Sequence, residues 1–168
     1  MAKKKDKPVD LNSPENTLLL ELKDGTVKIQ LRPDVAPRHV KRIKTLVREG
    51  FYDGIIFHRV IEGFMAQTGD PKGTGTGGSG QHLKAEFNDL PHNRGTCSMA
   101  RAMNVDSADS QFFICFQSAD FLNRQYTVWG QVSEGMEHVD KIARGEPPAN
   151  PDKIISMKVA ADVVEQAA

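Results

Sequence analysis

The sequence predicts a mainly β protein built on an antiparallel sheet or barrel, from three observations. About eight short segments are apolar runs or alternate apolar with polar residues, and turn residues bound them. Two segments alone carry a helical apolar stripe. Those helices do not alternate with the strands, as a doubly wound parallel sheet would require.

The elements follow in order. Residues 1–16 are polar, carry Pro8 and Pro14 and show no periodicity, so they are expected to form a flexible arm. Order is expected from Thr17 to Val164, with residues 165–168 frayed. Leu18 to Leu22, Asp24-Gly25 and Thr26 to Leu31 make a hairpin signature, because Asp-Gly accepts the backbone angles of a tight turn. A helix is expected from Ala36 to Glu49: Pro37 suits its first turn, Val40, Ile43, Leu46 and Val47 form a stripe, and Gly50 stops it. Phe57 to Ile61 and Phe64 to Gln67 read as strands around Glu62-Gly63, and Gly69 to Gly80 as a glycine-rich loop. Further strands are expected at Thr96 to Ala100, Gln111 to Phe116, Thr127 to Val132 and Lys153 to Val164. A second helix is expected from Ser133, as N-cap, to Arg144, ended by Gly145.

The bulk numbers narrow the function. A chain of 168 residues fits one domain with its own core. The 22 basic side chains equal the 22 acidic ones, which argues against a nucleic-acid or acidic-membrane partner. Lys3-Lys4-Lys5 is answered by Asp6, Asp10 and Glu15 and reads as a solvated tail. No apolar stretch follows to complete a signal peptide, and no run approaches a membrane span, so the cytoplasm is the expected compartment. Cys97 and Cys115 sit in strand-like apolar segments without metal-ligand spacing and read as buried thiols.

Three constellations could carry chemistry. Gly73-Thr74-Gly75-Thr76-Gly77-Gly78 satisfies G-x-G-x-x-G, but no helical stripe follows it. A dinucleotide site needs that helix, so the run reads as a loop. The five histidines include no pair at metal-ligand spacing, and no nucleophile elbow supports a hydrolase built from His58, Asp106, Asp109 and Ser110. The third is Phe57 to Gln67, where strand alternation sets Phe57, Arg59 and Ile61 on one side and His58 and Val60 on the other. Taken alone, Arg59 reads as a snorkelling or salt-bridged arginine. Ser110 to Phe116 changes the balance, because Gln111 and Phe113 share a face. Together the two stretches describe an apolar pocket edged by a fixed cation and side-chain amides.

These stretches resemble the cyclophilin family of peptidyl-prolyl cis/trans isomerases. Phe57-His58-Arg59-Val60-Ile61 with Gly63 to Asp70 is similar to the family's central signature, and Ser98-Met99-Ala100 with Ser110 to Ile114 to its second. Phe51 to Gly54, Gly73 to Gly75, Glu86-Phe87 and Leu122-Asn123 agree as well, so the resemblance runs from Thr17 to Val164. It implies a closed eight-stranded antiparallel barrel with two capping helices, no cofactor and no metal. It implies Arg59 as the catalytic residue, and Phe64, Met65, Phe113 and Leu122 as the pocket for a substrate proline ring. Gln67 and Gln111 resemble the amides that orient Arg59 and the substrate backbone. Ala100 and Arg101 occupy the strand that pairs with residues preceding the proline. The implied partners are proline-containing polypeptides, met by a monomer that assists protein folding.

Four departures bear on the site. Phe121 stands where animal cyclophilins typically carry Trp, which removes an N–H donor and implies weak cyclosporin binding. Tyr126 replaces a frequent His and keeps an aromatic wall with a polar tip. Arg101 stands where Asn is usual. The loop from Met103 to Asp109 is longer than the common form and lacks its Gly-Pro. These departures resemble bacterial rather than animal members. A non-catalytic module that binds proline segments is the competing expectation.

Overall fold

The computed structural model describes residues 10–167; residues 1–9 of the expected arm and residue 168 of the expected frayed end lie outside the described residues. Eight strands are present: β1 (Thr17–Leu22), β2 (Gly25–Leu31), β3 (Arg59–Ile61), β4 (Met65–Thr68), β5 (Thr96–Met99), β6 (Phe112–Cys115), β7 (Val128–Glu134) and β8 (Ser156–Val159). They form one sheet in the order β3-β4-β6-β5-β7-β2-β1-β8, with antiparallel pairing throughout. The β1–β2 hairpin closes tightly, with Leu22 opposite Gly25. Every expected strand is present: β3, β5, β6 and β8 are shorter than expected, whereas β1, β2 and β7 run a residue or two further.

The sheet curls because one face of each strand enters a common core. Leu18, Leu20 and Leu22 of β1, Val27, Ile29 and Leu31 of β2, and Trp129 of β7 are buried there. Val60, Ala66, Cys97, Phe112 and Ile114 join them from β3, β4, β5 and β6. Phe112 meets Trp129 edge-on at 5.3 Å and Tyr52 at 5.5 Å. The closed ring implied by the resemblance is met only in part. β3 and β8 are the sheet's edges, and a bridge at Ile56 and Lys153, just ahead of each strand, joins them. Its hydrogen bonds run from Phe57 N to Asp152 O and from Ile154 N to Ile55 O, each 2.8 Å.

Among the described residues, three α-helices stand where two were expected. α1 (Pro37–Arg48) buries the stripe Val40, Ile43, Leu46 and Val47 together with His39. α2 is confined to Met136–Val139, much shorter than expected. The reason lies in β7: Glu134 remains paired with Lys28, and the Ser133 hydroxyl donates to Lys28 O at 3.3 Å instead of capping a helix. The expected last strand also ends early. Its pairing with β1 stops at Leu18–Val159, and beyond that point the chain turns into α3 (Ala160–Ala167). Asp162 of α3 pairs with Arg48 of α1 at 3.0 Å.

Residues 10–16, expected as the end of the arm, make specific contacts. A 3-10 turn forms at Pro14–Asn16, and Gln30 Nε2 donates to Leu11 O at 3.0 Å. Glu15 pairs with Lys44 and Arg48, whose donors hold its carboxyl below the usual range against the opposing effect of burial. No helix among the described residues is long and apolar enough to cross a membrane.

Candidate active site

Strand register builds the site. Arg59 of β3 lies opposite Gln67 of β4, Gln67 opposite Phe113 of β6, and Phe113 opposite Ser98 of β5. Residues paired in this way point to the same face, and this face is the outer one. The neighbouring row Val60, Ala66, Ile114 and Cys97 faces the main core. Alternation thus divides two apolar sets between two sides of one sheet. The outer set is a second cluster of Met65, Phe113, Cys115, Ala119 and Leu122, with Phe64, Ala100 and Tyr126 packed against it.

That cluster floors a hollow of about 120 Å³. Phe64, Met65, Phe113, Leu122 and Tyr126 line its apolar part, and Arg59, Gln67, Ala100 and Arg101 edge it. The Phe113 and Tyr126 rings meet edge-on at 5.8 Å. Nine of the residues singled out in the sequence therefore surround one cavity. Gln111 stands outside its lining, in an adjoining hollow of about 290 Å³ that shares Gln67, Ala100 and Arg101. Phe121 also stands outside: its ring is 72% exposed and packs on Phe64 at 5.6 Å. Phe57 departs from the expected alternation, because regular strand begins only at Arg59 and its ring goes into the main core.

Arg59 is held by a chain of amides. Its Nη1 donates to Gln67 Oε1 at 3.3 Å, and Gln67 Nε2 donates to Gln111 Oε1 at 2.9 Å. Gln111 Nε2 donates onward to Gly75 O and Gly77 O, at 3.0 and 2.9 Å. The glycine run is therefore a wall of the site. It is fastened by the buried Asp70 carboxylate, which accepts from the N–H groups of Lys72, Thr74 and Gly75 at 2.8, 3.0 and 2.6 Å. Burial alone would raise that carboxyl, but the backbone donors hold it below its ordinary value. An Asp ahead of a Gly-Thr-Gly run is a signal for such a turn.

Arg101 is a brace. Its Nε and Nη2 donate to Gln125 O at 3.1 and 2.7 Å, its Nη1 to Ala102 O at 2.9 Å, and its guanidinium lies 4.6 Å from the Tyr126 ring centre. Arg101 and Ala100 lie just past the end of β5 rather than within it, and Ala100 N donates to Gln111 O at 2.9 Å. Beneath the floor, buried His92 stacks on Phe113 at 6.1 Å. Its ring nitrogens meet Asn123 Oδ1 and Ser98 Oγ at 3.1 and 2.9 Å.

His82 and Glu146 carried no signal for this site in the sequence. His82 lines the larger hollow together with Ser107 and Asp109, which belong to the loop from Met103 to Asp109. Glu146 reaches Arg59 from a distant loop, its Oε1 accepting from Arg59 Nε at 3.0 Å. His58 belongs to no hydrolytic arrangement: it is buried, and its ring nitrogens have no hydrogen-bond partner among the described residues. Cys97 and Cys115 are buried free thiols, as expected, and burial pushes Cys115 up to about 12.

Comparison with known proteins agrees with this geometry. The family model described as cyclophilin type peptidyl-prolyl cis-trans isomerase/CLD matches residues 17–159. A Brucella suis relative, named as a probable peptidyl-prolyl cis-trans isomerase, is 54% identical over 166 residues, covering 89% of this chain and 85% of its own. Peptidyl-prolyl cis-trans isomerase B of Bacillus subtilis is 44% identical over 128 residues, covering 74% of this chain and 89% of its own. Among solved structures, cyclophilin AquaCyp293 of Hirschia baltica matches with a TM-score of 0.83 at 30% identity, over 89% of this chain and 76% of that one. A Cryptosporidium parvum cyclophilin type isomerase, crystallised in the presence of the dipeptide Ala-Pro, matches with a TM-score of 0.79 at 30% identity, over 85% of this chain and 98% of that one. The chain belongs to the cyclophilin-type peptidyl-prolyl cis-trans isomerase family.

Proposed function

We propose that this protein accelerates rotation about X–Pro bonds in polypeptides, with Arg59 as its catalytic residue and the apolar hollow as the seat of the proline ring. One observation carries the reading. Arg59 uses Nε and Nη1 for Glu146 and Gln67, while its Nη2 has no hydrogen-bond partner among the described residues and the side chain edges the hollow.

The chemistry asks for little more. An X–Pro bond rotates over a barrier of about 18–20 kcal/mol, because amide resonance is lost midway. No bond breaks, so the reaction has no need of a nucleophile. As the amide twists, the proline nitrogen regains its lone pair and becomes an acceptor. A guanidinium N–H aimed there makes a bond that neither planar state can make, which is the differential binding that catalysis requires. One such donor contributes about 3–4 kcal/mol, or about 10²- to 10³-fold in rate. Phe64, Met65, Phe113 and Leu122 hold the ring, so the segment before it turns. Gln67 and Gln111 keep the guanidinium and the substrate backbone in register.

A module that only binds proline segments would need the apolar wall alone. The Arg59–Gln67–Gln111 chain favours turnover over such capture. The remaining parts of the reading are consistent with it: a catalytic unit from Thr17 to Val164, proline-containing polypeptides as partners, a monomeric state and residence in the cytoplasm, where the buried thiols Cys97 and Cys115 stay reduced. Weak cyclosporin binding belongs to the same reading.

The deciding experiment is exchange spectroscopy on a short proline peptide, with Arg59→Ala beside the wild type. The variant is expected to keep its circular dichroism and to lose about 10²-fold or more in turnover. Full turnover by the variant would remove Arg59 from the mechanism. A wild type that binds the peptide without speeding its exchange would leave the binding module.

A further inference from the structure

We propose that Glu146 is a positioning residue for Arg59, holding the Nε edge of the guanidinium so that its free edge points at the substrate. The inference rests on the isomerase reading above and extends it to a residue outside both signature stretches.

The backbone brings Glu146 to this place. Val60 N donates to Gly145 O and Gly145 N donates to Val60 O, each at 2.8 Å, a reciprocal antiparallel bridge. In that register residue 146 lies beside residue 59, so both side chains leave on the same side. Gly145 has φ +143, and a Cβ there would lie 2.5 Å from Pro148 Cα. The loop therefore reaches β3 only with glycine at that position.

Charge then sorts the partners. Across the same bridge, Glu62 pairs with Arg144, and the Arg144 guanidinium is further tied to Asp140 O and Ile142 O and lies 4.2 Å from the Phe116 ring centre. Glu62 is thus engaged elsewhere, and Glu146 is the carboxylate that Arg59 meets, at 3.0 Å. An arginine side chain loses much rotamer freedom when it is fixed. Gln67 restrains one nitrogen only, which leaves the guanidinium plane free to swing about that contact. A second contact at Nε fixes the plane. Both partners remain half-exposed, at 45% and 56%, so the pair acts by orientation rather than by adding to fold stability.

The test uses the full-length protein with Glu146→Ala and Glu146→Gln, measured on a proline peptide at saturating and sub-saturating concentrations. Glu146→Ala is expected to lower kcat about three- to fivefold, the upper range for an exposed ion pair. KM should hold steady, because the Arg59 contact to the proline nitrogen exists only in mid-rotation. Glu146→Gln retains an acceptor for Nε–H and should recover most of the loss. The Arg59 Nε–H resonance should shift and broaden in the alanine variant and return toward its wild-type position in the glutamine one. Thermal midpoints should match the wild type in both. An alanine variant with wild-type kcat and an unmoved Arg59 resonance would overturn the proposal while leaving the isomerase reading intact. So would a rise in kcat/KM, which is the result of a carboxylate that competes with substrate for Arg59. Absence of turnover in the wild type would instead defeat the isomerase reading itself.

Discussion

Gln67 faces Arg59 across β3 and β4 and spends its two ends differently: the carbonyl accepts from Arg59 Nη1, and the amide nitrogen donates to Gln111. That polarity is set from outside the pocket. Gln111 Nε2 is committed to Gly75 O and Gly77 O, so its carbonyl must face Gln67. The orientation of the Arg59 guanidinium therefore depends on a glycine loop that lies outside the lining of the apolar hollow.

Breaking the middle of this relay has a defined consequence. Gln67→Ala removes the acceptor at Nη1 and leaves Gln111 Oε1 without its donor. A lost hydrogen bond of about 1–1.5 kcal/mol corresponds to about a tenfold fall in kcat, with the apolar floor and hence KM little affected. Line-shape analysis of a proline peptide titrated with the variant measures both. An unchanged kcat would show that Arg59 needs no relay.

Stability is expected to depend on pH through three histidines. Burial pushes His39, His58 and His92 below their ordinary value of 6.5, at His58 against the opposing charge of Asp70 and with a smaller push from Arg59. His39 has Nε2 against Lys84 O at 2.8 Å and its buried Nδ1 has no partner among the described residues, so a second proton would find no acceptor there. In the unfolded chain these rings protonate near 6.5, whereas in the fold they stay neutral to lower pH. The unfolded state then binds more protons, and stability falls as pH drops through 6.5. Each histidine contributes a slope of up to about 1.4 kcal/mol per pH unit below that point. Urea midpoints between pH 7.5 and 5 should decline, and replacing His39 by Gln should flatten the curve. A midpoint constant across that range would contradict the assignment.

Phe121 is exposed and rests on the outer edge of Phe64, beside the hollow rather than within it. Phe121→Trp places an N–H donor at that rim without touching Arg59 or Gln67. Cyclosporin affinity should rise about two- to tenfold, the range of one added hydrogen bond, while turnover of a short peptide stays near wild type. Calorimetric titration checks the first and exchange spectroscopy the second. Unchanged affinity would place the weak point elsewhere, for instance in the loop from Met103 to Asp109.

The fold could be read from the sequence where its causes are local. Asp24-Gly25 and the alternation Val27, Ile29, Leu31 specify the first hairpin within a few residues, and the stripe of α1 does the same over twelve. Failures came where a distant partner decided. Ser133 is a good helix cap by type, yet Lys28 of β2 keeps it in the sheet. Residues 160–164 look like strand, but the pairing of β8 with β1 ends at Leu18–Val159, and from Ala160 onward the chain coils into α3.

The sequence by itself determined the strand inventory through alternation, and its resemblance to the family marked the apolar floor and Arg59, because those signature residues lie within short segments. Only the tertiary structure decided that β4 stands between β3 and β6 and that Glu146 meets Arg59 from 87 residues away. It also placed Phe121 outside the hollow and joined the edge strands by a bridge rather than a ladder. The physical reason is common to all of these. Periodicity records which face of a segment is apolar, whereas pairing between remote segments is settled by which faces can be buried together once the chain has closed.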